Sequence, residues 1–187
     1  MRVSRDQMQA NRLRILDSAS RLFREKGFEA VSVAEVMKAA GLTHGGFYGH
    51  FDSKDDLIAQ AIAHIFTAQD DGQGDLGAYL NAYLSSQHRD SVGDGCPTAA
   101  LVADIRRQTS AARLAMTEGF RSQIDRMAKA IAEPGAAASR RQAVGAWAAM
   151  VGAVVLARAI DDPALSDEIL DETRSWIEGS LGETSKA

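Results

Sequence analysis

Between positions 43 and 54 the chain sets Thr43, His44, Gly45, Gly46, Tyr48, His50 and Lys54 close together. The chemistry available to these side chains is contact with a phosphate backbone and with base edges. A histidine donates to a purine N7 or to a phosphate oxygen. A tyrosine lies along a groove wall and donates its hydroxyl to phosphate. Lysine is held by charge alone. Gly45 and Gly46 read nothing, but they let the backbone come close to whatever is bound. Singly, each is an ordinary surface residue: Thr43 also reads as a helix cap, and His44 as a solvated imidazole. The spacing makes them one candidate site, with Thr43 and His44 at its reading end.

Such a site needs elements that hold it. Phe47 and Phe51 lie four apart, the spacing of a helix face that buries itself, which turns Tyr48 the other way. Ahead of them Ser32 and Glu35 form a capping-box pattern opening a helix that runs to Ala40, with Gly41 as its stop. Thr43 caps the next, very short helix, and Ser53 caps the one after, whose stripe is Leu57, Ile58, Ala61, Ile62, Ile65 and Phe66. An earlier helix is predicted from about Asn11 to Lys26, ended by Gly27 as a left-handed cap with Phe28 folding back. Two small helices joined by a tight glycine turn present the second to the major groove of duplex DNA, and Ser32 at the first helix start is a further contact candidate. Gly45, Gly46 and Gly49 weaken the short helix by roughly 0.8–1 kcal/mol each relative to alanine. The expectation is that it orders fully only on DNA.

The remainder is also helical by pattern. A breaker follows Gln69. Helices are predicted near 76–87, 97–108, 110–133 (ended by Pro134-Gly135), 138–160 and from Leu165 onward. Nine or ten helices and no sheet is the expected architecture. With 187 residues and 45% hydrophobic content the chain can bury a sizeable core. Its net charge of −4 argues against wholesale nucleic-acid coating. Residues 1–54 nonetheless carry nine Lys/Arg against six Asp/Glu, and the rest twelve against nineteen. A basic head on an acidic body suits a localised DNA contact. Cys96 is the single cysteine, so no internal disulfide forms, and a reducing cytoplasm is the expected compartment. The stretch 143–160 is apolar apart from Arg158, but its Ala/Gly content reads as a buried helix rather than a membrane span. The four histidines show no metal-binding spacing, and no catalytic constellation is visible; the chain is expected to be no enzyme and to need no cofactor or metal.

Residues 9–69 resemble the N-terminal domain of the TetR family of transcriptional repressors. The residues carrying the likeness are Ile15-Leu16, Ala19, Leu22-Phe23, Gly27-Phe28, Ser32-Val33, Glu35-Val36, Ala39 to Leu42, Gly46 to Tyr48, His50-Phe51, Ser53-Lys54 and Leu57. Gly49 departs from the pattern, standing where many relatives carry a larger residue. The resemblance implies an all-α homodimer: a helix-turn-helix DNA-binding domain over 9–69 (the motif itself about 32–51) and a ligand-binding and dimerisation body over 70–187. It also implies that Tyr48, His50 and Lys54 occupy phosphate-contact positions.

The body's apolar and aromatic residues, Phe66, Tyr79, Tyr83, Leu101, Met116, Phe120, Trp147 and Met150, read as ordinary core. The resemblance adds that some of them line a pocket for a small, mainly apolar effector. Cys96, at a predicted helix start between Gly95 and Pro97, is either a small buried turn residue or a thiol sensor in the same pocket. The last two long helices read as a dimer seam. Gly145, Ala148 and Gly152 permit close helix approach, and Trp176, Ile177 and Leu181 supply apolar anchors. A two-fold dimer sets its recognition helices ~34–36 Å apart and calls for a palindromic operator. The expected function is a repressor released by its effector. The alternatives are thiol sensing through Cys96 and a helical interaction module without DNA binding.

Overall fold

A computed structural model describes residues 4–68, 75–131 and 137–182. Among them are nine α-helices, one 3-10 helix and no strand. In chain order these are α1 (Arg5–Lys26), α2 (Val33–Ala39), the 3-10 helix η1 (His44–Gly49), α3 (Lys54–Ala68), α4 (Leu76–Tyr83), α5 (Ser86–Asp90), α6 (Pro97–Ile105), α7 (Ser110–Ile131), α8 (Ala137–Ala159) and α9 (Pro163–Gly182). The expected breaker over 70–75 lies outside the described residues except for Asp75, which caps α4, and the Pro134-Gly135 stop lies outside them too.

Two compact units emerge, one of residues 1–69 with 100–119, the other of 70–99 with 120–187. The expected division put the whole of 70–187 in one body. The segment 100–119 groups with the first unit instead, burying Leu101, Ile105, Ala112 and Met116.

In the first unit α1 packs on α3 and α2, and α2 packs on η1. The predicted stripe of α1 is buried at Ile15, Leu16, Ala19 and Phe23. This helix starts six residues earlier than expected. Ser4 caps it, its hydroxyl accepting from the Gln7 N–H at 3.1 Å. The opening turns are polar and exposed, so no apolar period announced them. Gly27 ends α1 at φ 79°, but its ψ of 166° is extended rather than left-handed helical. Phe28 does fold back, its ring 5.4 Å from that of Phe23. The Gly119 backbone lies against the Phe66 ring so closely that a Cβ there would sit 2.2 Å from it.

The second unit is built on α8 and α9, with α4 against α9 and α5 against α8. Its core joins Leu80, Tyr83, Leu84, Cys96, Met127, Trp147, Met150, Val154, Leu170 and Ile177. The expected helix over 76–87 is broken at Leu84 because the Ser85 hydroxyl accepts from the His88 N–H and opens α5. One described helix, Ser139–Ala159, is long and apolar enough to cross a membrane, with mean hydropathy 1.4 and 39% of it buried.

Candidate nucleic-acid interface

The short segment η1 is anchored from beneath. Phe47 and Phe51 are 1% and 2% exposed, their rings stacked 5.8 Å apart. Burying two such side chains contributes roughly 1.5–3 kcal/mol each, enough to hold a helix that could not form alone. Tyr48 stands 73% exposed, its ring edge-on to Phe47 at 5.2 Å. The division expected from the four-residue spacing is therefore present.

The turn before η1 is a Schellman closure. Gly41, at φ +66°, donates to the Lys38 carbonyl at 3.0 Å, and Leu42 donates to Met37 at 2.9 Å. The Arg14 guanidinium donates to the Ala40 carbonyl and fills the space where a Gly41 Cβ would stand. Thr43 does not cap η1 with its side chain. Its carbonyl instead accepts from Gly46 N–H at 3.0 Å, the i to i+3 pattern of a 3-10 turn. Its exposed hydroxyl is free of that capping duty.

The capping box of α2 is made in both directions. Ser32 accepts from the Glu35 N–H at 3.1 Å. The Glu35 carboxylate accepts from the Ser32 backbone N–H and also pairs with Lys26 at 2.6 Å. That contact holds the glutamate below the usual carboxylate range and raises the lysine. Ser53 accepts from Asp56 N–H at 3.0 Å and so starts α3. Asp56 in return accepts from Asp52 N–H at 3.1 Å.

His44 and Gly45 are exposed at the start of η1, and nothing lies within 4 Å of a Cβ built on Gly45. His50 is half-buried at the exit, and its carbonyl accepts from Arg12 Nη1 at 3.1 Å. Lys54 opens α3 with its ammonium 3.5 Å from the Glu29 carbonyl. Thr43, His44, Gly45, Tyr48 and His50 thus sit on one short segment, with Ser32 at the start of α2 and Lys54 just past the exit. Sequence reasoning missed Arg12 and Arg14, the two α1 arginines that fix this segment. Each acts across more than 25 positions, and no local pattern signals that.

The pocket candidates divide between the units. Phe66, Leu101 and Met116 are buried in the first. Tyr83, Cys96, Trp147 and Met150 are buried in the core of the second, with Phe120 half-buried against them and 4.9 Å from the Trp147 ring. The His88 imidazole ties two turns there. Its Nδ1 meets the Tyr83 carbonyl at 2.6 Å and its Nε2 accepts from Cys96 N–H at 2.9 Å. Burial pushes its pKa down, and burial pushes those of Tyr79 and Tyr83 up.

Of the seam candidates, Ile177 is a correction. It is 1% exposed inside its own core, so it has no surface to offer a partner. Leu181 is half-buried against the same core. Trp176 is 61% exposed, and Gly145 and Ala148 face outward on α8, with Gly152 partly so. Among the described residues, no group of three or more His, Cys, Asp or Glu is placed to hold a metal ion.

Residues 15–61 match the family model described as bacterial regulatory proteins, tetR family. The chain is 42% identical over 59 residues to the HTH-type transcriptional regulator AcrR of Shigella flexneri, a match covering 32% of this chain and 27% of that protein. It thus spans about a quarter of the length of such relatives. It is 25% identical over 194 residues to the uncharacterized HTH-type transcriptional regulator Rv0196 of Mycobacterium tuberculosis, covering 96% of this chain and 100% of that one. Its fold is similar to that of E. coli NemR in its reduced form, with TM-score 0.73 and 22% identity over 91% of this chain and 96% of that one. The buried Phe47–Phe51 pair under an exposed Tyr48 and the glycine-closed turn lie inside the matched segment, and over residues 15–61 the chain is similar to the TetR family.

Proposed function

We propose that this chain is a DNA-binding transcriptional regulator, a repressor that leaves a palindromic operator when a small, mainly apolar effector binds. The observation that carries the reading is the exposed edge Thr43, His44, Gly45 and Tyr48 held over the buried Phe47–Phe51 pair. Tyr48, His50 and Lys54 grip phosphate, and Thr43 and His44 meet base edges, with Ser32 at the margin. A relative over 51 residues, KstR2 of Rhodococcus jostii, is named a transcriptional repressor. We place the chain in the cytoplasm.

A second copy completes the unit. Val144, Val155 and Leu156 on α8 and Trp176 on α9 are 43%, 38%, 56% and 61% exposed, beside the outward Gly145 and Ala148. A self-complementary pairing of these faces gives a four-helix seam. Effector binding among Tyr83, Phe120, Trp147 and Met150 then favours a dimer geometry that no longer matches successive major grooves. Cys96 is buried within that cluster, and we assign it a structural part.

Selection of binding sites from random duplexes, followed by fluorescence anisotropy at several salt concentrations, tests the reading. Salt-dependent binding to a two-fold symmetric site is expected, weakened by Tyr48→Ala. Failure to bind any selected duplex would sink it.

A further inference from the structure

Helix α1 runs past the core it helps to build. Its buried stripe begins at Ile15 and Leu16 and continues through Ala19 and Phe23. Earlier on the same stripe, at helical spacing, stand Arg12, then Met8 and Gln9, then Arg5. The face that is apolar inside the core thus becomes cationic and polar in the two turns before it. The Ser4 cap keeps those turns helical.

These four residues and Leu13 form one side of a groove of about 580 Å³, whose other side is Gly49 and His50. Among the described residues no carboxylate lines it. Arg12 spends its guanidinium on the His50 carbonyl at 3.1 Å, on Gln60 and on the Phe51 ring, all of them neutral. The carboxylate of that network, Asp56, accepts from Gln60 at 2.7 Å and from the Asp52 N–H at 3.1 Å, outside the groove. Asp6, beside Arg5 in the chain, is outside it as well. The exposed Arg5 side chain makes no hydrogen bond or ion pair among the described residues.

The groove is also partly apolar and open. Met8 and Leu13 are 41% and 45% exposed, and nothing lies within 4 Å of a Cβ built on Gly49. Cations beside apolar surface match a strand of duplex DNA, which presents an anionic phosphate and then a sugar. The groove is continuous with the interface described above, because His50 belongs to both.

We propose that one strand of the bound duplex lays its sugar–phosphate backbone in this groove. Arg5 holds a phosphate beyond the one at His50, Gln9 donates beside it, and Gly49 leaves the strand room. Arg12 is a positioning residue there, since its donors are already engaged. The proposal rests on the DNA-binding reading above and adds to it a second hold, supplied by α1 rather than by the residues from 43 to 54.

Fluorescence anisotropy of the full chain on its selected duplex, repeated over a range of salt concentrations, tests it. Arg5→Ala should weaken binding about threefold to tenfold, equally on selected and random duplexes, and should lower the slope of log affinity against log salt by about one. Arg5→Lys should keep the slope. Lys129→Ala, which removes an exposed charge from α7, should also leave it unchanged. Gly49→Leu, at a position without positive φ, should keep the native Tm or raise it and still weaken the duplex. Methylphosphonates placed one at a time along the duplex should reveal a phosphate whose neutralisation costs the native chain affinity and costs Arg5→Ala nothing. Native affinity and slope in Arg5→Ala, native affinity in a folded Gly49→Leu, an equal loss of slope in Lys129→Ala, or the absence of such a phosphate would overturn the proposal. Should Gly49→Leu not fold, the Arg5 variants and the phosphate scan decide alone. A native chain that binds no selected duplex refutes the regulator reading and this site with it, whereas native binding matched by Arg5→Ala refutes this site alone.

Discussion

The Arg12 guanidinium carbon lies 4.6 Å from the centroid of the Phe51 ring, and the same group donates to the His50 carbonyl and to Gln60. One α1 side chain thereby fastens the exit of η1 to the middle of α3. Removing it in Arg12→Ala takes away a cation–π contact and two charge-assisted hydrogen bonds, which should cost about 1–3 kcal/mol. Thermal unfolding should show a lowered Tm, and duplex affinity should fall with it. An unchanged Tm would mean the fastening carries no weight.

Glycines in the turn and in η1 should respond in opposite senses. Gly41 is at φ +66°, and a Cβ there would meet Arg14 Nη2 at 2.7 Å, so Gly41→Ala should destabilise by about 1–3 kcal/mol. Gly49 has no positive φ, and nothing lies within 4 Å of its Cβ position. Gly49→Ala should stabilise by about 0.5–1 kcal/mol in urea titrations. Hydrogen exchange with and without duplex then shows whether η1 is ordered chiefly by DNA, and equal protection in both would rule that out.

Gly119→Ala should be among the most damaging small changes, because the new methyl overlaps the Phe66 ring. A loss of about 1–3 kcal/mol is expected. Phe66→Leu should recover part of it in the double variant, and strictly additive effects in that cycle would argue against the contact.

Acid should weaken the fold through His88. Its folded pKa is depressed, first by burial, so the folded state favours the neutral ring. The unfolded chain takes up a proton near pH 6.5. The contribution is therefore complete above about pH 6.5 and is lost as pH falls toward the depressed folded value. Urea midpoints measured from pH 7.5 to 5.5 should decline in the native chain and decline less in His88→Asn.

Charge on the α8–α9 face should separate the proposed dimer. Leu156→Arg or Trp176→Arg places a cation on residues that are more than half exposed in the single chain. The isolated fold should persist while light scattering shows the monomer mass and cooperative binding to the palindrome is lost.

The first unit was legible wherever a local rule decided the structure. Gly41, Ser53 and the Phe47/Phe51 spacing each act through neighbours a few positions away. Glu35 completes the box with Ser32 and adds a pairing with Lys26, nine positions back, that no local rule announces. The early start of α1 was hidden because a cap at Ser4 followed by polar residues leaves no apolar period. In the second unit the stripes told which residues are buried and not what their polar atoms do. Tyr83 and Trp147 read alike as aromatic core. Only packing reveals that the Tyr83 ring lies 4.5 Å from the His88 imidazole while the Trp147 ring meets Phe120. Ile177 shows the same limit in reverse, since apolar character on α9 does not say which side of the helix faces home.

The solitary Cys96 thiol, buried just before α6 with its amide held by His88, also gives the molecule an internal clock. Its reaction rate with a small thiol reagent reports how often that turn opens.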